Sequence, residues 1–406
     1  MKLKQIILAG AVSAFAAVAG TGASASCAFK NEVPVKLLAA AFPAWKAVAD
    51  AMAECGNFTA SLDQEFREKQ PAAFAANPAL YNIGGVANST MVPLLNAGTI
   101  RPLDDLLAKY GQHVKPNQRI KVDGQTYAVA MMVNAQHLMY REDILKDLGI
   151  PVPTTWDEVL AAAEKIKQAG VVDYPLGGTF KAGWNLGEEF VNLYLGEGGE
   201  FFGPGNMPAI NNEKGMRALE VMKAMTAYMD PEYLASDSTF VQQQFQQGKI
   251  AMANLWASRA GAMDDPDESQ VVGLVKMAAA PMGSVRPASS LWWDGIVIAK
   301  NQTEKEAEAA FRVAMEGLDR EMVEANNDLA VWLIEGFKPG PAAVGAIATA
   351  EKGAAPYPAS TQMGIMHTAL GNGIADYLTG KKDAATTLAD IEAAYITAAR
   401  EAGLIK

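Results

Sequence analysis

Short apolar runs that read as strands alternate with sharply bounded helical patterns along most of this chain, and that alternation restricts it to α/β layers. The clearest strand-like runs are 33–40, 127–133, 250–255, 271–279 and 295–299. Two helix starts carry the same device. Thr155 with Glu158 forms a capping box ahead of Trp156, Val159, Leu160, Ala163 and Ile166 at helical spacing, and Gly170 supplies the stop. Thr303 with Glu306 repeats it ahead of Ala307, Phe311, Ala314, Met315 and Leu318. The order of elements points to parallel sheets covered by helices, with a helix-rich last third and no strand after Ala299. Gly/Pro-rich stretches at 196–208 and 337–341 read as long loops or crossings.

The N-terminus sets the compartment. Lys2 and Lys4 precede an apolar run from Ile6 to about Ala19, followed by Ser24-Ala25-Ser26, the layout of a secretory leader over residues 1–25. A membrane anchor is the alternative, but the run falls short of the roughly 20 apolar residues a spanning helix needs. Lipidation at Cys27 is the other, and Ser24 stands where an aliphatic residue is expected. The roughly 380 residues beyond the leader exceed one core, which stops growing at about 250 to 300 residues, so two lobes are expected.

A net charge of −11 without a Lys/Arg cluster argues against nucleic acid. Cys27 and Cys55 are the only cysteines. In an oxidising compartment such a pair more often bridges than binds metal, and both lie at the same end of one strand–helix unit. Two unpaired thiols are the alternative. The three histidines, His113, His137 and His367, are too scattered for zinc, and no nucleophile elbow, phosphate loop or dinucleotide fingerprint is present. Neither a metal nor a cofactor is expected. Paired carboxylates carry no fixed spacing, so Glu188, Glu189 or Asp294 keep a secreted glycoside hydrolase open as a second reading. A purely structural secreted protein is a third.

In open α/β sheets ligands sit outside the carboxyl ends of strands. That rule selects Phe42 and Trp45 after the first strand, Asn134, Gln136 and His137 after the second run, and Trp256 after 250–255. Trp292, Trp293 and Asp294 immediately precede the last run, and Trp184 stands in a Gly-flanked loop. Aromatic rings beside amides and a carboxylate suit a sugar or polyol, whose C–H faces stack and whose hydroxyls hydrogen-bond. For each tryptophan the alternative is a core role, as for Trp156 on its capped helix.

Several segments in this order resemble the extracellular solute-binding proteins of family 1, the maltose-binding-protein-like receptors of ABC importers. They are Leu138-Met139-Tyr140-Arg141-Glu142-Asp143-Ile144-Leu145, Pro153-Thr154-Thr155-Trp156-Asp157-Glu158, and Phe245-Gln246-Gln247-Gly248-Lys249-Ile250-Ala251-Met252 leading to Trp256. Asp294-Gly295-Ile296-Val297-Ile298-Ala299-Lys300 also fits. The resemblance covers about residue 30 to the C-terminus. It implies a two-lobed periplasmic-binding-protein fold of type II, with lobe 1 from 26–133 plus about 297–338 and lobe 2 from 134–293 plus about 342–406. It also implies a periplasmic monomer that captures a sugar or polyol, hands it to membrane permease subunits and catalyses nothing. Asn134 then stands at the hinge and cleft, and His367 where family members place a sugar-stacking ring. Arg141 departs from the family's Asn after Tyr140, and His367 departs from its Trp. An anionic sugar derivative or a glycerol phosphate-like solute is the alternative ligand, and it requires a cation in the cleft from among Lys181, Arg259 and Arg286.

Overall fold

The structure is a computed structural model that describes residues 27–340 and 343–405. The leader expected over residues 1–25 lies outside the described residues. Among the described residues twelve strands form two sheets: β1 (Val35–Ala39), β2 (Phe58–Leu62), β3 (Ile83–Ala87), β4 (Arg119–Val122), β5 (Gln125–Asn134), β6 (Gln136–Arg141), β7 (Tyr174–Gly177), β8 (Ile250–Trp256), β9 (Val275–Ala278), β10 (Ser290–Ile298), β11 (Val331–Trp332) and β12 (Ala355–Pro356). The larger runs β11-β5-β10-β3-β1-β2, with β4 beside β5 and β12 beside the start of β10. The smaller runs β7-β8-β6-β9.

Each sheet organises its own apolar core. In lobe 1, Val35, Leu37 and Leu38 of β1 pack with Trp45, Val48 and Met52 of the helix Pro43–Ala53 and with Phe311 of the helix Glu304–Gly317. Gly85 of β3 is required here, because a Cβ would lie 2.7 Å from the Trp45 ring. In lobe 2, Leu138 and Met252 pack with Trp156, Phe190 and Tyr395. The Thr155 and Thr303 capping boxes form as expected, and Gly170 ends its helix in the left-handed region at φ 63°.

The chain passes from the larger to the smaller sheet between Asn134 and Gln136, and returns along β10. It leaves β11 again to reach the helix Val344–Glu351, which covers β6 and β9. Cys27 and Cys55 form a disulfide that joins the described N-terminus to the end of the first helix.

Three expectations change. The sheets are mixed rather than parallel: β10 runs antiparallel to β3 and β5, and β6 antiparallel to β8 and β9. The run 271–279 contributes strand only over Val275–Ala278, since Val271 to Leu274 turn through Gly273 at φ 76°. Two short strands, β11 and β12, follow Ala299; each contributes two residues to the edge of a longer strand.

Candidate functional site

A cavity of about 400 Å³ lies between the lobes. Lobe 2 contributes Trp184, the first residue of the helix Trp184–Gly196, and Trp256, the last residue of β8. Trp292 and Asp294 enter from β10, alternate residues of one strand and therefore on one face. Opposite them stand Phe42, Phe66 and Arg67 of lobe 1.

The three tryptophans form one cluster. Trp184 lies 6.4 Å from Trp256 at 27° and 5.5 Å from Trp292 at 70°, and Trp256 meets Trp292 edge-on at 6.0 Å. Such offset and edge-on contacts are the favoured aromatic geometries. Trp184 is fixed from behind. Gly183, at φ 94°, starts its helix, and a Cβ on Gly371 would sit 2.3 Å from the Gly183 carbonyl, so the helix Thr361–Gly373 can approach closely. That approach stacks His367 on Trp184 at 5.0 Å and 19°. His367 Nε2 lies 2.8 Å from the Trp184 carbonyl, which can only accept, so Nε2 carries the proton. Nδ1 then accepts from the Tyr357 hydroxyl at 2.9 Å. Burial holds the imidazole neutral, with its pKa down at about 4.

Behind Trp292 the polar groups form a second network. The indole N–H meets Glu188 Oε1 at 3.0 Å and Ser290 Oγ at 2.8 Å. The Ser290 hydroxyl is shared between Glu188 and Asn192, each at 2.7 Å, although it has one proton to give. A protonated Glu188 supplies the missing donor, in keeping with burial pushing its pKa up to about 8. Glu189, bonded to Gln136 at 2.8 Å and to Thr179, is raised by burial to about 7. Asp294 is also raised to about 7 by burial, although the Arg67 charge and the Trp45 indole N–H oppose the shift.

Cations line the opposite side. Arg67 lays its guanidinium 4.4 Å from the centre of the Trp184 ring and 4.7 Å from that of Phe66. Its Nε is shielded from solvent without a hydrogen-bond partner. Arg259, two residues into the turn that follows Ala257, donates to Gln242 Oε1 at 3.2 Å, and burial lowers its pKa to about 10. Lys181 pairs with Asp237 at 3.3 Å.

Residues 40–315 match the sequence profile of the bacterial extracellular solute-binding proteins. This chain belongs to that family. A probable ABC transporter-binding protein of Deinococcus radiodurans is 29% identical over 205 residues, 47% of this chain and 47% of its own length. The sn-glycerol-3-phosphate-binding periplasmic protein UgpB of Agrobacterium fabrum is 25% identical over 256 residues, 56% of this chain and 54% of its own. The chain thus spans about half the length of the curated relatives it matches. A solute-binding protein of Agrobacterium radiobacter K84, solved in complex with ribitol, superposes with a TM-score of 0.81 at 20% identity, covering 91% of this chain and 100% of that one. The two-lobed architecture of the family is therefore the architecture of this chain.

Of the residues selected from the sequence, Phe42, Asn134, Trp184, Trp256, Trp292 and Asp294 line the cavity of this solute-binding protein. The others lie elsewhere. Trp45 is 1% exposed in the lobe 1 core and reaches the site only through its hydrogen bond to Asp294. Trp293 follows the opposite face of β10 into a separate core with Ala128 and Val297. Gln136 is sealed among Glu189, Thr179 and Asn254. His137 is fully buried beneath Gly345, where a Cβ would lie 2.4 Å from Nδ1, and burial drops its pKa to about 3. His367 stands behind Trp184, not on the cavity surface. Among the three candidate cations, Lys181 and Arg259 line the cavity and Arg286 does not. Arg67 went unselected, because it lies in a polar helical run, Arg67-Glu68-Lys69-Gln70, that reads as a solvated face.

Proposed function

We propose that this protein is the solute receptor of an ABC importer: it works in the periplasm as a monomer, captures a sugar or polyol between its lobes and delivers it unchanged to a membrane permease. The observation that carries this reading is the inter-lobe cavity, walled by Trp184, Trp256 and Trp292 and ringed by hydrogen-bonding side chains from both lobes. Tryptophan faces match the C–H faces of a polyhydroxylated chain, and amides, hydroxyls and carboxylates match its hydroxyls. Binding and closure are linked, because a solute favours the closed form only through contacts it makes there with both lobes at once. The named ligands of related proteins, ribitol and sn-glycerol 3-phosphate, share a hydroxylated carbon chain.

The carboxylates support binding over hydrolysis. Glu188 is committed to Ser290 and Trp292 behind the aromatic wall, and Asp294 to the Trp45 indole. Among the described residues no helix is long and apolar enough to cross a membrane, and the leader-like N-terminus supports export.

Thermal shift against sugars and polyols, with calorimetry on the hits, tests the proposal. A true solute at 100 times its dissociation constant adds about 2.7 kcal/mol of stability. Recovery of the solute intact after long incubation is the expected companion result. Failure of every small hydroxylated compound to stabilise the protein, or cleavage that disappears in Asp294→Asn, would overturn the reading.

A further inference from the structure

Arg67 and Arg259 enter the same cavity from opposite lobes, Arg67 on the helix Phe66–Ala75 beside β1 and Arg259 in the turn after β8. Among the described residues neither has a carboxylate in ion-pair contact. Elsewhere Arg101, Arg141, Arg217 and Arg320 each hold one, whereas Arg119, Arg286, Arg312 and Arg400, also outside the cavity, lack one among these residues, so what sets Arg67 and Arg259 apart is their shared place in it. Lys181, in the same cavity wall, is already matched with Asp237. Glu68 acts on Arg67 from the exposed rim and Asp237 acts on Arg259 while paired with Lys181, so neither guanidinium has a carboxylate in contact within the cavity.

We propose that the solute carries an acid group, a carboxylate or phosphate on a hydroxylated chain, and that Arg67 and Arg259 clamp this group from the two lobes. The inference rests on the receptor reading above and narrows it. Arg67 holds its guanidinium carbon 4.4 Å from the Trp184 ring centre while its Nε has no hydrogen-bond partner, which leaves N–H donors for an oxyanion. Arg259 spends one N–H on a neutral amide and keeps the rest of its fork. Desolvating two cations against hydroxyls alone leaves their charge unanswered, whereas an oxyanion answers it with paired charge-assisted hydrogen bonds. Of the carboxylates whose charge reaches Arg67, Glu68 is exposed and the buried two do not supply that answer. Burial favours the proton on both Asp294 and Glu188, so neither brings a full negative charge at neutral pH. The clamp also explains how closure is driven, since one acid group touches both lobes.

The test is calorimetry on the purified full chain with gluconate, glucuronate and glucose 6-phosphate, each beside the neutral sorbitol or glucose. The acids are expected to bind at least about 30-fold more tightly than their neutral twins, and Arg67→Gln and Arg259→Gln to remove that margin separately. Arg286→Gln, outside the cavity, leaves it unchanged. Should Arg259→Gln fail to fold, Arg259→Lys keeps the charge without the fork and still loses part of the margin. Preference among carboxylate and phosphate probes identifies the acid, and either preference supports the clamp. Neutral twins that bind as tightly as the acids, or acid binding untouched by both glutamine variants, overturn the clamp and leave the receptor reading standing. Binding of neither set overturns both.

Discussion

The two walls of the cleft are built on different foundations. In lobe 2, Trp184 is held by a chain running from the Tyr357 hydroxyl through His367 to the Trp184 carbonyl, and Trp292 by Glu188 and Ser290. Trp256 and Trp292 are buried against Trp184, so the aromatic surface is set before any solute arrives. In lobe 1, Phe66 and Arg67 start a helix whose N-cap, Glu65, makes no side-chain cap and which carries Pro71 inside. Arg67 has no hydrogen-bond partner among the described residues. A wall tied by hydrogen bonds faces a wall with fewer of them, and the two halves should respond differently when broken.

The largest effect is expected from dividing Trp184 from Trp293. Trp184→Ala removes the ring that touches Trp256, Trp292, His367 and Arg67, so affinity should fall by roughly 2 kcal/mol or more, as for anchors in desolvated pockets. Trp293→Ala leaves the cavity intact but uncovers the lobe 1 core around Ala128 and Val297, against which this partly buried ring packs, at a cost of up to roughly 3 kcal/mol in folding stability. Calorimetry and urea unfolding on both variants separate the two. Unchanged affinity in Trp184→Ala would deny lobe 2 its platform role.

Next comes the lobe 1 staple. Replacing Cys27 and Cys55 with serine opens a loop of sequence separation 28, and roughly 3 kcal/mol of stability should be lost. Solute affinity should stay within about twofold, since a staple acting on the unfolded chain leaves the folded site intact. A large affinity loss in the folded variant would show that lobe 1 needs the bridge to shape its clamp.

Much of this architecture was legible where the pattern was unbroken. The runs feeding β1, β5, β8 and β10 are mostly apolar, broken only by Lys36 in the first and Asn254 in the third, and the Thr155 and Thr303 boxes mark their helices outright. β3 was not legible, because Gly84 and Gly85 dilute its sequence while their lack of side chains is what lets Trp45 pack there. Strand direction was also hidden: antiparallel β10 depends on crossing from the other lobe, a relation between residues far apart in the chain. In the site, loop-end tryptophans were readable, yet Trp292 and Trp293 could not be told apart until the facing of β10 was known. Arg67 left no local signal, since its role depends on a tryptophan more than a hundred residues away.

The smallest effect tests the polar foundation behind the aromatic platform through pH. Glu188, Glu189 and Asp294 have folded pKa values raised to about 8, 7 and 7, above the values of 4.5, 4.5 and 3.8 for the free groups. A raised carboxylate binds its proton more tightly in the fold, so stability falls as pH climbs from the unfolded to the folded value. The buried histidines act in the other direction but in a different window. His137 and His367 are lowered to about 3 and 4 from 6.5. Their contribution is complete above pH 6.5 and is lost only as pH falls below it. Between about pH 6.5 and 8.5, then, the three carboxylates act without them, and unfolding free energy should decline by at least about 1.4 kcal/mol, the equivalent of one pKa unit. Glu188→Gln keeps a neutral donor and acceptor against Ser290 and Trp292 while removing the titration, so its decline should be shallower. Urea unfolding at the two pH values checks this. A slope equal to that of the unsubstituted protein would mean that Glu188 is ionised in the fold, and that the network behind Trp292 is charged rather than neutral.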